Sequence, residues 1–368
     1  MTPSILPDKN WLMDHVPARV SDLAQQSSFE ELEPSVENPD RFSVSCPFIC
    51  AYLETRSGRQ LTASSTTTYE QNLSQYAAFL QDREVHLLDA DLTDVIEFVE
   101  HCVDQGNRRS TIESKLTTVR ELYVFIRLRT AAAEALTIDP IELERIDLAE
   151  YNVPPPIERE PLTREELRKL FDAMNSYRNR LLAVVAVETG LRNSDLRNIR
   201  VSDVGFDSGE IHVHNPKNSV PYDVPISRDL RIELQIWCDQ YRDGYAPRVD
   251  SQYLFPACNG AKLETNGGLN TIIKSAAERA GIQEVLATSE VTSGQGKQPE
   301  ADNNLREWHR VTVHTLRHTC FTLMKEAGVP LPYRQLVANH RDPQTTQHYS
   351  HGRGQEFASI REQFDPPR

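Results

Sequence analysis

Apolar residues recur at three- and four-residue spacing through much of this chain, a period that predicts helices. Tyr69, Leu73, Tyr76, Ala77 and Leu80 form one stripe; Leu92, Val95, Ile96, Val99 and Cys102 form a second, which stops near Gly106. A third joins Ile112, Leu116, Val119, Tyr123 and Ile126. It opens with Ser110-Thr111-Ile112-Glu113, whose hydroxyl-to-carboxylate spacing fits a capping box. Ahead of these, the cluster Phe48, Ile49, Ala51, Tyr52 and Leu53 predicts a shorter helix from about Pro47 to about Gly58. Proline is tolerated in a helix only in its first turn, so Phe42 and Val44 are left in an extended lead-in.

Tyr151-Asn152-Val153 runs into Pro154, Pro155 and Pro156, which cannot continue a helix and favour an extended spacer. A domain boundary is expected there. The expected order is an acidic arm at 1–41, a helical domain at 42–150, a linker at 151–160, a second domain at 161–355 and a tail at 356–368. Thr163-Arg164-Glu165-Glu166 is another capping box, opening a helix through Leu167, Leu170, Phe171 and Met174. Residues 178–200 read as helix interrupted by Gly190. Residues 210–214 and 220–226 read as two short strands, with Pro216-Lys217-Asn218-Ser219 as their turn. Further helices are expected over 228–241, 268–280, 314–327, 331–339 and 344–349. Residues 287–304 lack periodicity and are expected to form a mobile insertion loop. The fold class is therefore mainly α with a small antiparallel β-sheet, in a helical N-terminal domain and an α+β second domain.

The length of 368 residues fits two or three domains. No apolar run of spanning length and no basic-then-apolar leader is present, so no membrane partner is expected and a cytoplasmic location is. The six cysteines are scattered without a CxxC pair, which reads as buried thiols rather than a zinc site. The net charge of −14 argues at first against a nucleic-acid partner. However, the first forty residues hold eight acids and two bases, while residues 108–129 carry a local charge of +4. Arg108, Arg109, Lys115 and Arg120 are accordingly expected to form a phosphate-contacting surface. Only eight of the 40 basic residues are lysine. Such composition looks like that of a salt-loving archaeon, where molar salt shortens the Debye length to about 3 Å; high-GC coding bias is the other source.

The second domain carries the candidate chemistry. Its segments are Gly190-Leu191-Arg192-Asn193-Ser194-Asp195-Leu196, His314-Thr315-Leu316-Arg317-His318, Asn339-His340, and Thr345-Thr346-Gln347-His348-Tyr349-Ser350-His351. A phosphodiester repels nucleophiles through its own charge. Arginine forks can neutralise its non-bridging oxygens by charge-assisted, often bidentate hydrogen bonds. A tyrosine hydroxyl, with pKa near 10, is ionised in roughly one molecule in a thousand at neutral pH, so it needs nearby cations and a base to attack phosphorus. The i, i+3 spacing places His314 and Arg317 on one helical face. His314 and His318 also have zinc-ligand spacing, but Thr315 stands where a metalloprotease motif needs Glu.

The order and spacing of these segments resemble the tyrosine recombinases, the phage integrase family, over roughly residues 42–355. The resemblance implies a core-binding, SAM-like domain before the linker and a catalytic domain after it, closing as a C-shaped clamp on double-stranded DNA. It implies that Arg192 and Arg317 hold the scissile phosphate and that Tyr349 is the nucleophile, leaving a 3′-phosphotyrosyl link. His314 would accept the tyrosine proton, His340 would donate to the phosphate, and Lys217, in the hairpin turn, would protonate the departing 5′ oxygen. A homotetramer on synapsed sites, exchange through a Holliday junction, and no metal, cofactor or ATP are implied as well. Asn339 stands where the family usually has Gly, and Asn tolerates left-handed backbone. His318 follows its box without an assignable role. Two other readings remain at this point: relaxation of DNA by a type IB topoisomerase, and a DNA-binding accessory protein without catalysis.

Overall fold

The computed structural model describes residues 31–214, 221–245, 250–290, 305–338 and 364. The chain divides into compact units at Pro156 and Ile157.

In the first unit, α1 (Pro47–Arg56) has Pro47 in its opening turn, and α2 (Ala63–Asp82) starts from Thr62, whose hydroxyl accepts from the Ser65 amide. Asp91 and Asp94 form a reciprocal capping box at the start of α3 (Leu92–Asp104). The longest helix, α4 (Arg109–Arg129), packs against the other three. The buried side is aromatic: Tyr52, Tyr76, Phe98 and Tyr123 are each at most 2 % exposed. Each such side chain contributes about 1.5–3 kcal/mol through burial. Their hydroxyls are satisfied: Tyr76 and Tyr123 bond at 2.8 Å, Tyr123 also donates to the Leu87 carbonyl at 3.1 Å, and Tyr52 donates to Glu121 at 2.9 Å. The capping box expected at Ser110 does not form. The N-cap is Arg108, two residues earlier, and it makes no side-chain cap. The link from α3 is only Gln105 to Arg108, turned by left-handed Gly106 and closed by an Asn107 amide bond to the Cys102 carbonyl. It leaves no length for a later start.

In the second unit, Thr163 and Glu166 form the expected box at the start of α5 (Arg164–Asp172). In α6 (Tyr177–Thr189) every residue from Leu181 to Thr189 is buried, as a helix surrounded by other elements requires. Gly190 ends it, and α7 (Asn193–Asn198) follows after Leu191 and Arg192. Three antiparallel strands come next: β1 (Val204–Gly205), β2 (Glu210–Val213) and β3 (Tyr222–Pro225), with Ile211 opposite Val224 and Val213 opposite Tyr222. The turn bearing Lys217 lies outside the described residues. α8 (Arg228–Ile236) continues through a π-turn at Trp237–Tyr241 into α9 (Arg242–Tyr245), and α10 (Asn266–Arg279) follows.

The loop expected over 287–304 is corrected at its start, where residues 287–290 belong to a strand, while 291–304 lie outside the described residues. β4 (Val285–Glu290) and β5 (Leu305–His309) form a two-stranded sheet, so ladder hydrogen bonds fix residues that lack apolar alternation. The last elements are α11 (Val313–Glu326), capped by Thr312, and α12 (Leu331–Ala338). The helix expected at 344–349 lies outside the described residues. α11 lays Leu316, Cys320, Leu323 and Met324 into the same core as α6. This packing brings the two arginine-bearing segments together.

Candidate active site

Gly190 adopts φ 60°, ψ 20°, and its amide bonds back to the Ala186 carbonyl. Left-handed backbone costs a residue with a Cβ roughly 1–2 kcal/mol, which is why glycine stands where the chain must leave α6 sharply. Buried Leu191 anchors the turn, and Arg192 becomes the extended N-cap of α7. Arg192 therefore sits between two helices rather than inside one.

Arg317 lies on the inner face of α11, 8 % exposed. One terminal nitrogen donates to the carbonyl of Gly190, the other to that of Ala338 at 2.9 Å. Its guanidinium also lies 4.9 Å from the Phe321 ring centre. Burial and the Arg192 charge both hold its pKa below the usual arginine range.

Asp195 is 5 % exposed and faces this pair from the first turn of α7. Burial raises its pKa, against the pull of Arg192, the Ser194 hydroxyl and Arg317. Tyr222 on β3 is also buried. Its hydroxyl is pushed up to about 12 by burial and by Asp195, with Arg317 and Arg192 opposing. Sequence reading gave neither residue a role. Asp195 was visible inside its motif; only the register of β3 reveals Tyr222.

His314 opens α11 on an exposed position. Partial shielding of its ring, with the charges of Arg159, Arg317 and His318, lowers its pKa from the usual value. A neutral imidazole at neutral pH is the form that accepts a proton. His318 acquires a structural role: its Nδ1 pairs with the Arg159 carbonyl at 3.0 Å. At the next residue, the Thr319 hydroxyl accepts from the Leu162 amide at 2.9 Å. Both bonds fasten residues 159–162, around the end of the expected linker, onto α11. Among the described residues, no third His, Cys, Asp or Glu joins His314 and His318 as a metal-ligand group.

Arg192, Asp195, Tyr222, His314 and Arg317 are thus brought into one electrostatic neighbourhood. Lys217, His340 and Tyr349 lie outside the described residues. His340 follows Ala338, whose carbonyl Arg317 holds, by two positions.

The basic stretch on α4 divides. Arg109 pairs with Glu113 at 2.9 Å and Arg120 with Glu144 at 3.1 Å, both in partly or largely exposed pairs. Arg108 donates to the Pro155 carbonyl. Lys115 is a correction: it is 6 % exposed and turned inward. Its ammonium bonds Asn107 at 3.1 Å and Cys102 sulfur at 3.5 Å, and lies 6.0 Å from the Phe98 ring centre. It has left the exposed basic face because position 115 falls within the apolar stripe of Ile112, Leu116 and Val119.

Among the described residues, no helix is long and apolar enough to cross a membrane. The family model described as "Phage integrase family" matches residues 160–356, and that of the "Phage integrase, N-terminal SAM-like domain" matches residues 50–130. The tyrosine recombinase XerD of Staphylococcus haemolyticus is 24% identical over 312 residues, covering 83% of this chain and 94% of XerD. Two solved structures share the fold. A lambda integrase (75–356) dimer bound to a COC′ core site has TM-score 0.57 at 17% identity, covering 82% of this chain and 96% of that one. The XerH site-specific recombinase bound to its difH substrate has TM-score 0.55 at 20% identity, covering 94% of this chain and 91% of that one. With one family model covering residues 160–356, more than half of the chain and both arginine-bearing segments, and a second on the helical unit before it, the chain belongs to the phage integrase family, the tyrosine recombinases.

Proposed function

We propose that this protein is a site-specific DNA recombinase that cuts and rejoins duplex DNA through a 3′-phosphotyrosyl intermediate. The observation that carries the reading is the meeting of Arg192 and Arg317, from distant segments, in a buried setting with Asp195 and Tyr222. Two guanidiniums held close repel each other, an arrangement that a bound anion relieves. The scissile phosphate supplies that anion.

In the proposed reaction the Tyr349 oxygen attacks phosphorus and gives its proton to His314. The P–O5′ bond breaks, and the departing oxygen takes a proton from Lys217. Arg192 and Arg317 stabilise the charge on the non-bridging oxygens, and His340 adds a hydrogen bond. Rejoining reverses these transfers with a 5′-hydroxyl from the partner strand. One phosphoester replaces another at each step, so no external energy source is required.

Residues 42–150 serve as the core-binding domain and 161–355 as the catalytic domain, with 151–160 as linker, 1–41 as an arm and 356–368 as a tail. Arg108, Arg109 and Arg120 face DNA phosphates. The similar structures include a lambda integrase tetramer bound to a Holliday junction, which supports a homotetramer on synapsed double-stranded sites, acting in the cytoplasm. The task is integration or excision of a mobile element, or resolution of DNA dimers.

The test is a nicked suicide duplex carrying the recombination site, taken from repeats flanking the gene's own element. Wild-type protein should become covalently attached, and mass spectrometry should place the phosphate on Tyr349. Tyr349→Phe should bind the site yet form no adduct. A phosphate on any other tyrosine would overturn the assignment.

A further inference from the structure

Among the described residues, three buried polar atoms of this neighbourhood have no hydrogen-bond partner: Nη1 of Arg192, Oδ2 of Asp195 and the hydroxyl of Tyr222. Buried polar groups are nearly always paired, and buried tyrosine hydroxyls in particular find an acceptor. Tyr52, Tyr76 and Tyr123 in this chain all do. Tyr222 is 6 % exposed and is the exception. Its place is fixed by register: it stands opposite Val213, while Asp223 pairs across β2 with His212 at 2.5 Å and Val224 enters the core opposite Ile211. A strand held this firmly does not leave a hydroxyl unpaired through looseness.

The surroundings indicate what the hydroxyl awaits. Burial and Asp195 keep the phenol protonated at neutral pH, so it acts as a donor. Arg192 and Arg317 supply positive charge beside it. Arg317 has both terminal nitrogens engaged by main-chain carbonyls, which takes up part of its fork. The uncommitted donors facing a ligand therefore include Arg192 Nη1 and Tyr222. A group of two positive charges and spare donors fits an anionic oxygen.

We propose that Tyr222 donates its hydroxyl hydrogen to a non-bridging oxygen of the scissile phosphate, as a third donor beside Arg192 and Arg317. The proposal rests on the recombinase reading and adds a catalytic contact to it. Tyr222 is not the nucleophile: it keeps its proton while the Tyr349 oxygen forms the bond to phosphorus.

Tyr222→Phe removes only the hydroxyl. Since that hydroxyl is unpaired in the free protein, its loss should leave the thermal midpoint equal or higher. Single-turnover cleavage of the suicide duplex should slow about 10- to 100-fold, as expected for loss of one hydrogen bond to a charged group. Duplexes with sulfur replacing one non-bridging oxygen at the scissile phosphate then locate the contact, because sulfur accepts hydrogen bonds poorly. The hydroxyl's effect should shrink to within about threefold on one sulfur isomer and persist on the other. Cleavage by Tyr222→Phe at the wild-type rate overturns the proposal. So does an equal slowing on the phosphodiester and both sulfur isomers, which would make Tyr222 a positioning residue only. A wild-type protein that forms no tyrosyl adduct would sink the recombinase reading and this contact with it, whereas an active wild type matched by Tyr222→Phe would sink the contact alone.

Discussion

The guanidinium of Arg317 donates to the carbonyl of Gly190, the left-handed residue that ends α6 two positions before Arg192. One arginine of the proposed phosphate grip thus fixes the backbone that presents the other. The second bond, to Ala338, extends the same hold to the end of α12.

Gly190→Ala tests the turn. A Cβ there would stand 3.0 Å from the Phe321 ring and 3.1 Å from the Cys320 sulfur, on a backbone at φ +60°. Strain and crowding together should cost about 1–3 kcal/mol. Denaturant unfolding should show that loss, and strand cleavage should fall with it as Arg192 is displaced. Unchanged stability would mean that the turn relaxes freely.

The two arginines should separate by phenotype. Arg192→Ala should reduce cleavage by roughly 10²–10³-fold, as for loss of a preorganised donor to developing charge, with little change in stability. Arg317→Ala should reduce cleavage at least as much and also destabilise the fold, since two carbonyls lose their partner at about 1–3 kcal/mol each. Equal stability of the two variants, measured by thermal unfolding, would contradict the structural half of the Arg317 role.

His314 sets an acid limit. Its folded pKa lies below the usual 6.5, so it stays neutral and able to accept a proton until the pH falls beneath that value. Cleavage should therefore hold down to about pH 6.5 and decline below it. Arg159→Gln removes a positive neighbour and should move the decline to higher pH. The linkage has a matching sign: the unfolded chain binds this proton more tightly, so His314 costs stability increasingly as pH falls through its normal titration range and imposes no such cost above it. A decline unmoved by Arg159→Gln would remove His314 from the proton path.

Salt dependence distinguishes the residues of α4. Arg109→Gln and Arg120→Gln should each lower the slope of log affinity against log salt by about 1 if the side chain meets a phosphate. Lys115→Met should leave that slope unchanged, because its ammonium is buried against Asn107 and Cys102. Filter-binding titrations on a duplex site from 50 to 200 mM salt would show a reduced slope for Lys115→Met if the inward placement is wrong.

Most helices were legible because they bury a stripe at the helical period, α6 being buried nearly all round instead, and Thr163 with Glu166 marked a start that the structure keeps. Arg192 and Arg317 stood out because their neighbours in sequence are distinctive. Lys115 was misread because charge was counted along α4 without regard to face, although position 115 shares the stripe of Ile112 and Val119. Ser110 was misread because a local capping pattern yields to a short link that forces an earlier start. Tyr222 and His318 were illegible in another sense: their surroundings come from residues far away in the chain. β4 was hidden because its Thr and Ser carry no apolar alternation; a partner strand defines it.

The bond from Arg317 to Gly190 joins residues 127 positions apart. Contacts at such sequence separation require closure of a long loop before they give any return, so they belong late in folding. The Arg192 turn is therefore secured only once the later-made α11 has packed against α6. A nascent chain still lacking α11 carries Arg192 on a turn without the Arg317 bond. The arginine pair, and with it the proposed phosphate grip, therefore depends on α11 however early Arg192 is made.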